Sequence, residues 1–254
     1  MLELCKVSRW FGGLPALEDV SFHMEPGQVT ALIGPNGAGK STLINCISGA
    51  DRAQTGSILL AQRPIDELPA HEIAALGVAR TFQNLKLFAR LSVLDNVLTG
   101  LTVAAERSFA VSMLRLPALR HQERQLRLRA LEALDDFGLA KKAHWPASSL
   151  SYGEKKRVEL ARAFVSDPRL VLLDEPVAGL NTEETAQIAR HIRRQRSAGH
   201  TMLLVEHDME LVMDVADRVV VLDSGRCIAC GNPEAVRSNP MVLEAYLGCM
   251  EATA

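Results

Sequence analysis

Cysteine is scarce and poorly placed for cross-linking: five residues, an odd number scattered along the chain, make no disulfide framework and fit a reducing compartment. A basic excess is missing as well. The 28 Lys and Arg against 30 Asp and Glu leave a formal charge of −2, where a dedicated nucleic-acid binder carries a clear positive surplus. No apolar run approaches the roughly 20 residues needed to span a bilayer. The opening MLELCKVSRW lacks the charged-then-apolar pattern of a secretory signal. Neither low-complexity sequence nor an internal repeat is present. What is there is an ordinary apolar share, 48%, with 23% charged residues over 254 positions, enough for one large core or two small ones. Disorder is excluded by that apolar share and small net charge, and the expectation is a soluble globular protein.

Short apolar runs of strand length recur at QVTALIG before residue 34, LVLLD at 170–174, TMLLVE at 201–206 and RVVVLD at 218–223. They do not alternate with polar residues, as expected for strands covered on both faces. Helical patterns such as 182–197 separate them, which predicts an α/β domain with a mainly parallel sheet. Near the start, VSRWF, PALEDVSFHM and QVTALI are divided by Gly-Gly and Pro-Gly and read as an antiparallel β region. Between about 85 and 160 the pattern is helical, in SVLDNVLTGL and ERQLRLRALEALDDFGL. There Leu126, Ala130 and Leu134 stand four apart on one helix face. The segment 55–60 reads as a further short strand, and 105–120 yields no reading.

The strongest chemical signal is GPNGAGKST, residues 34–42, which fits the P-loop pattern at Gly34, Gly39, Lys40 and Ser41, with Asn36, Gly37 and Thr42 in the same run. Glycines let the backbone curl so that N–H groups face a phosphate at a helix N-terminus. Lys40 would reach the β/γ-phosphates, and the Ser41 hydroxyl would ligate Mg²⁺. RLVLLDEP at 169–176 puts Asp174 and Glu175 at the end of a buried strand, where open α/β sheets bind ligands. Asp174 would serve Mg²⁺ and Glu175 would polarise the attacking water. His207 in LLVEHD and Gln83 in ARTFQN are weaker, solitary signals.

Taken together, these segments resemble the ATP-binding subunits of ABC transporters over nearly the whole chain. GPNGAGKST resembles Walker A, Gln83 the Q-loop glutamine, LVLLDEP Walker B, LSYGEKKRVELARA (150–163) the ABC signature, AGLN (178–181) the D-loop, and His207 the switch histidine. The resemblance implies an α/β P-loop NTPase core with an N-terminal antiparallel β region and a helical subdomain. As one domain over 1–254, it would divide into a nucleotide-binding core at 1–84 and 161–235, a helical subdomain at 85–160 and a helical tail at 236–254. It also implies ATP and Mg²⁺ as ligands, with Glu175 and His207 catalytic and Ser41, Gln83 and Asp174 around the metal. Phe11 would stack on adenine, with Trp10 as runner-up. Ser151, Gly153 and Glu154 would act on the nucleotide of a second ATPase subunit, and Asn181 would lie in the D-loop.

The signature departs from the commonest LSGGQ at Tyr152 and Glu154. Tyr152 occurs in the subgroup serving branched-chain amino acid importers. FGGLPAL, TFQNLKLF, DEPVAGLN, EHDMELVM and NPMVLEAYLG resemble that subgroup too. The partners so implied are a second ATPase subunit, identical or related, two membrane permease subunits and, indirectly, an extracytoplasmic solute-binding protein, with no nucleic acid. The implied place is the cytoplasmic face of the inner membrane. Importers of urea or short-chain amides, and a soluble ABC ATPase without transport, are the alternatives. Glu154 is expected to face the nucleotide across the dimer, the alternative being a solvent-facing acid at the start of its helix.

Three features are expected to carry no chemistry. Cys227 and Cys230 lack a second pair and, on a regular strand, would point to opposite faces. Two arginine groups, Arg120/Arg124/Arg127/Arg129 and Arg190/Arg193/Arg194/Arg196, read as solvated helix faces. The segment 239–248, with Val242, Leu243, Tyr246 and Leu247, is expected to pack on its own domain.

Overall fold

The computed structural model describes residues 1–83, 85–101 and 117–251, with backbone alone at 117–120 and 247–251. Most of 105–120, and the side chains of Arg120 and Leu247, lie outside the described residues. Four antiparallel strands form the smaller sheet: β1 (Leu2–Phe11) and β2 (Leu14–Met24), then, after the strand that begins the larger sheet, β4 (Thr55–Leu60) and β5 (Arg63–Pro64). Their order is β2-β1-β4-β5. Gly12 and Gly13 turn β1 into β2, and both have positive φ, 53° and 91°, which suits a two-residue hairpin whose twist matches its strands.

The larger sheet contains β3 (Val29–Ile33), β6 (Val78–Arg80), β7 (Leu170–Asp174), β8 (Thr201–Val205), β9 (Arg218–Asp223) and β10 (Arg226–Gly231). The order is β10-β9-β3-β8-β7-β6, parallel except for β10 at the edge. β3, β7 and β8 are buried at every position, and the period of two divides their side chains between two cores. Val171, Leu173, Met202 and Leu204 pack on the helical side. Leu170, Leu172, Leu203 and Val205 pack toward the smaller sheet. This corrects one expectation: QVTALI is not part of the antiparallel region, but the central parallel strand β3, because it must be apolar on both faces.

The helices are α1 (Lys40–Ser48), α2 (Ala70–Ala75), α3 (Val93–Leu98), α4 (Pro117–Asp136), α5 (Tyr152–Phe164), α6 (Thr182–Ser197), α7 (Met209–Val215), α8 (Pro233–Arg237) and α9 (Pro240–Glu251). Helices α3, α4 and α5 pack together, with Ala130 and Leu134 fully buried and Leu126 against them. Between 85 and 160 the described residues contain an isolated bridge, Ser92 to Pro146, but no strand. The expected boundary at 160/161 falls inside α5, and one apolar core joins its two sides. On α9, Val242 and Tyr246 pack against β9 residues while Leu243 is half-exposed, so the tail covers its own domain. Among the described residues, no helix is long and apolar enough to cross a membrane.

Candidate functional site

Because β3, β6, β7, β8 and β9 run in one direction, their C-terminal ends open on the same edge of the sheet. There the chain places Gly34 after β3, Arg80 at the end of β6, Asp174 and Glu175 at the end of β7, and Glu206 and His207 after β8. The P-loop is shaped by close backbone approach. A Cβ on Gly34 would stand 2.0 Å from the Leu222 carbonyl oxygen, and one on Gly39 2.4 Å from that of Ala16. Gly39 caps α1 in a left-handed conformation, and among the described residues no side chain caps the helix N-terminus. The first N–H groups of α1 are thus left for an anion.

Lys40 Nζ donates to the carbonyls of Gly34, at 2.6 Å, and Pro35, at 2.9 Å. Burial pushes its pKa down, against the charge of Glu175, which works upward. The lysine is therefore folded onto its own loop, close enough to feel the charge of Glu175.

Glu175 is held from three sides. Its N–H donates to Val205 O at 3.0 Å, Gln83 Nε2 donates to its Oε2 at 2.8 Å, and Lys156 Nζ donates to its carbonyl at 3.1 Å. Its φ of 49° lies in the left-handed region, a strained state for a residue with Cβ that the surrounding bonds maintain. Asp174 is nearly buried. Arg80 donates to its Oδ2 at 3.0 Å, and its N–H donates to Thr81 Oγ1 at 3.1 Å. Among the described residues, no group donates to Asp174 Oδ1.

His207 is exposed, with Nδ1 3.8 Å from Glu206 Oε2. Glu206 is 0% exposed and accepts from the N–H groups of Val177 and His207. Burial raises its pKa, against those two bonds and the charge of His207. It thereby ties the chain after β7 to the chain after β8.

The structure thus brings together Lys40, Gln83, Asp174 and Glu175, while Ser41 and Thr42 follow on the first turn of α1. Phe11 stands apart, 48% exposed at the end of β1 with Arg9 over its ring at 4.6 Å, whereas Trp10 is half-buried. The signature residues open α5. Ser151 is its N-cap and accepts from Glu154 N–H, and Gly153 packs so closely on α6 that a Cβ would meet Glu184 Oε1 at 2.3 Å. Asn181 caps α6 by accepting from Glu184 N–H at 2.9 Å.

Glu154 differs from expectation. Its Oε1 accepts from Lys142 Nζ at 2.5 Å and its Oε2 from Ser151 N–H at 3.1 Å, so both oxygens are engaged within its own subunit. The reason is local: an acid three residues after a serine N-cap closes a reciprocal capping box. Burial pushes this carboxyl upward, but the Lys142 and Ser151 bonds and the charges of Lys142 and Arg157 outweigh it and leave the group below its usual range.

Cys227 and Cys230 need a second correction. A bulge between Cys227 and Ala229 sets them opposite Leu222 and Val220, which are two apart on β9, so both cysteines share a face. They remain free thiols; Cys230 Sγ accepts from Arg218 Nε at 3.1 Å. Among the described residues, no group of three His, Cys, Asp or Glu side chains could hold a metal. Arg193, Arg194 and Arg196 are paired with Asp214, Asp136 and Asp217, and Arg127 with Glu123.

Arg80, Lys156 and Glu206 were not singled out by sequence. Each lies inside a segment quoted above, ARTFQN, the run 150–163 or LLVEHD, but a single charge within such a segment carries no periodic signal. Arg80 also borders a groove of about 980 Å³ whose lining includes Ala74, Phe82, Lys86, Phe88 and Arg162.

The oxygen donors at the sheet edge, namely the Ser41 hydroxyl, the Gln83 amide oxygen and the unpaired Asp174 Oδ1, have the hardness and the low carboxylate count that suit Mg²⁺. The family model described as ABC transporter matches residues 17–178, and one described as Branched-chain amino acid ATP-binding cassette transporter matches 226–248. The chain is 41% identical to the high-affinity branched-chain amino acid transport ATP-binding protein BraF of Pseudomonas aeruginosa over 249 residues, 98% of each chain. To LivG of Escherichia coli K12, a protein of the same description, it is 41% identical over 239 residues, 94% of each. The ADP conformation of MJ1267, an ATP-binding cassette of an ABC transporter, superposes with a TM-score of 0.85 at 31% identity, covering 98% of both chains. The chain belongs to the ATP-binding subunits of ABC transporters, and it is an ATPase.

Proposed function

We propose that this chain is the energy-coupling subunit of a bacterial importer for branched-chain amino acids. One observation carries the hydrolytic part: Glu175 is held by Gln83 at the sheet edge that also presents the P-loop and the exposed His207. ATP binds with its phosphates on the N–H groups of Gly37, Gly39, Lys40, Ser41 and Thr42, beside Asn36. Lys40 releases the Gly34 and Pro35 carbonyls to meet the β/γ-phosphates. Phe11, about half exposed with Arg9 over one face of its ring, stacks its other face on adenine. The carboxylate of Glu175 accepts a proton from the attacking water, and His207 contacts the γ-phosphate end. Ser41, Asp174 and Gln83 would hold Mg²⁺, which supplies charge neutralisation of the phosphates.

Two such subunits face each other, so that Ser151 and Gly153 of one meet the nucleotide of the other, with Asn181 near the seam. The groove beside Arg80 and Phe82 receives a permease subunit, at the cytoplasmic face of the inner membrane. The nucleotide-binding core does the chemistry, the helical region built on α3, α4 and α5 transmits it, and α9 covers the core. Support for the solute comes from the relatives' names, from the match at 226–248 and from the similarity along nearly the full chain. Cells lacking this chain are expected to lose leucine, isoleucine and valine uptake and to regain it with the wild-type gene. Retained uptake of these solutes with loss of urea uptake would overturn the substrate.

A further inference from the structure

We propose that Arg80 is a positioning residue for the metal-binding carboxylate: it clamps one oxygen of Asp174 to the P-loop helix and leaves the other free for Mg²⁺. The proposal rests on the ATPase reading above and gives a role to a residue of ARTFQN other than Gln83.

The guanidinium joins Asp174 to the helix that follows the P-loop. NH2 donates to Asp174 Oδ2 at 3.0 Å. NH1 donates to Asn45 Oδ1 at 2.8 Å and to Ser48 Oγ at 2.9 Å. Asn45 and Ser48 lie on α1, the helix that begins with Lys40 and Ser41, so one rigid planar group sets the distance from the phosphate-binding helix to Asp174. The following residue fixes the main chain at the same point, through Asp174 N–H to Thr81 Oγ1.

The pair is well covered, with side chains 13% and 9% exposed, and a buried carboxylate without a counter-charge is strongly disfavoured. Arg80 Nε is buried without a partner, a desolvation cost borne by the three bonds of the fork. A lysine would provide a single point charge and no plane, and would not hold all three acceptors in this geometry. Among the described residues only Asp174 Oδ2 is occupied, so the clamp restricts the carboxylate without closing it to a metal. Outer partners of this kind typically contribute about 10–100-fold to metal affinity.

The test measures ATP binding to the full chain by equilibrium titration, first in chelator and then over a Mg²⁺ series, for wild type, Arg80→Gln and Arg80→Lys. The expected result for Arg80→Gln is metal-free ATP affinity within about twofold of wild type, with the Mg²⁺ concentration at half-effect raised about tenfold or more. Arg80→Lys is expected to recover part of that shift, and it carries the test alone if the glutamine variant folds poorly. An unchanged Mg²⁺ midpoint in the lysine and glutamine variants would overturn the proposal. Equal losses with and without Mg²⁺ would also overturn it, because they would mark Arg80 as a mere prop for α1. A wild type that binds no ATP would instead defeat the ATPase reading itself, a failure readily told apart from these.

Discussion

Glu175 sits on a left-handed backbone with its carboxylate on Gln83 and its carbonyl on Lys156, so its position does not depend on its charge. Glu175→Gln should therefore keep ATP binding and remove the base, slowing hydrolysis about 10²–10⁴-fold. With Mg·ATP the variant should elute as a dimer on gel filtration. Undiminished turnover would remove Glu175 from the chemistry. Glu154 makes the contrasting case. Its two oxygens serve Ser151 N–H and Lys142, so Glu154→Gln should give no gain in ATP-dependent dimerisation. It should lower stability slightly, by about 1 kcal/mol, because the partly buried pair with Lys142 loses its charge while the amide can still close the capping box. Tighter ATP-dependent dimers at low salt, measured in a Glu175→Gln background, would restore the reading in which this acid repels the partner's nucleotide.

At the level of elements, α5 links the signature to the catalytic strand through Lys156, a lysine 2% exposed whose amine donates to Glu175 O. Lys156→Met should leave ATP affinity intact while lowering kcat by about 10- to 100-fold, since small misplacements of a reacting group are costly. A fall in affinity with kcat unchanged would contradict that role.

The strand runs and the helical faces, such as Leu126, Ala130 and Leu134, were legible because burial imposes a period. The P-loop was legible because its glycines answer to a backbone geometry. What stayed hidden depended on pairing between distant segments. QVTALI fitted two readings, a strand of the parallel sheet by its lack of alternation and part of the antiparallel region by its place in the chain, and its partners β8 and β9 are far away in sequence; nothing in Cys227-Ile-Ala-Cys230 announces the bulge that turns both thiols to one face. Likewise, the division at 160/161 followed a change in pattern, whereas α5 continues through it. Arg80 was invisible because its three acceptors come from α1 and β7, far away in sequence.

The helical region and the nucleotide core meet around a histidine, which makes their union sensitive to pH. His191 of α6 lies 4.7 Å, ring centre to ring centre, from Phe137 just beyond α4, and Phe137 lies 6.0 Å from Phe164 of α5. Burial, followed by the charges of Arg157, Arg194 and Arg190, pushes its pKa down to about 4, against a backbone hydrogen bond at Asp136 that works upward. In the unfolded chain the same imidazole titrates near about 6.5. Between those values the unfolded state binds a proton that the folded state refuses, so stability rises with pH in that window and falls as acid is added.

Above about pH 6.5 the imidazole is neutral in both states and the effect vanishes. Glu159 and Glu206 have carboxyls raised by burial and work in the opposite sense, while Glu154, held low, adds to the loss. All three are shared by wild type and variant and cancel in their difference. Denaturant midpoints for wild type and His191→Gln should therefore diverge between pH 6.5 and 5, with wild type losing stability faster, and run parallel between pH 7 and 8. Parallel curves throughout would mean that the ring accepts its proton inside the fold, despite the three arginines around it.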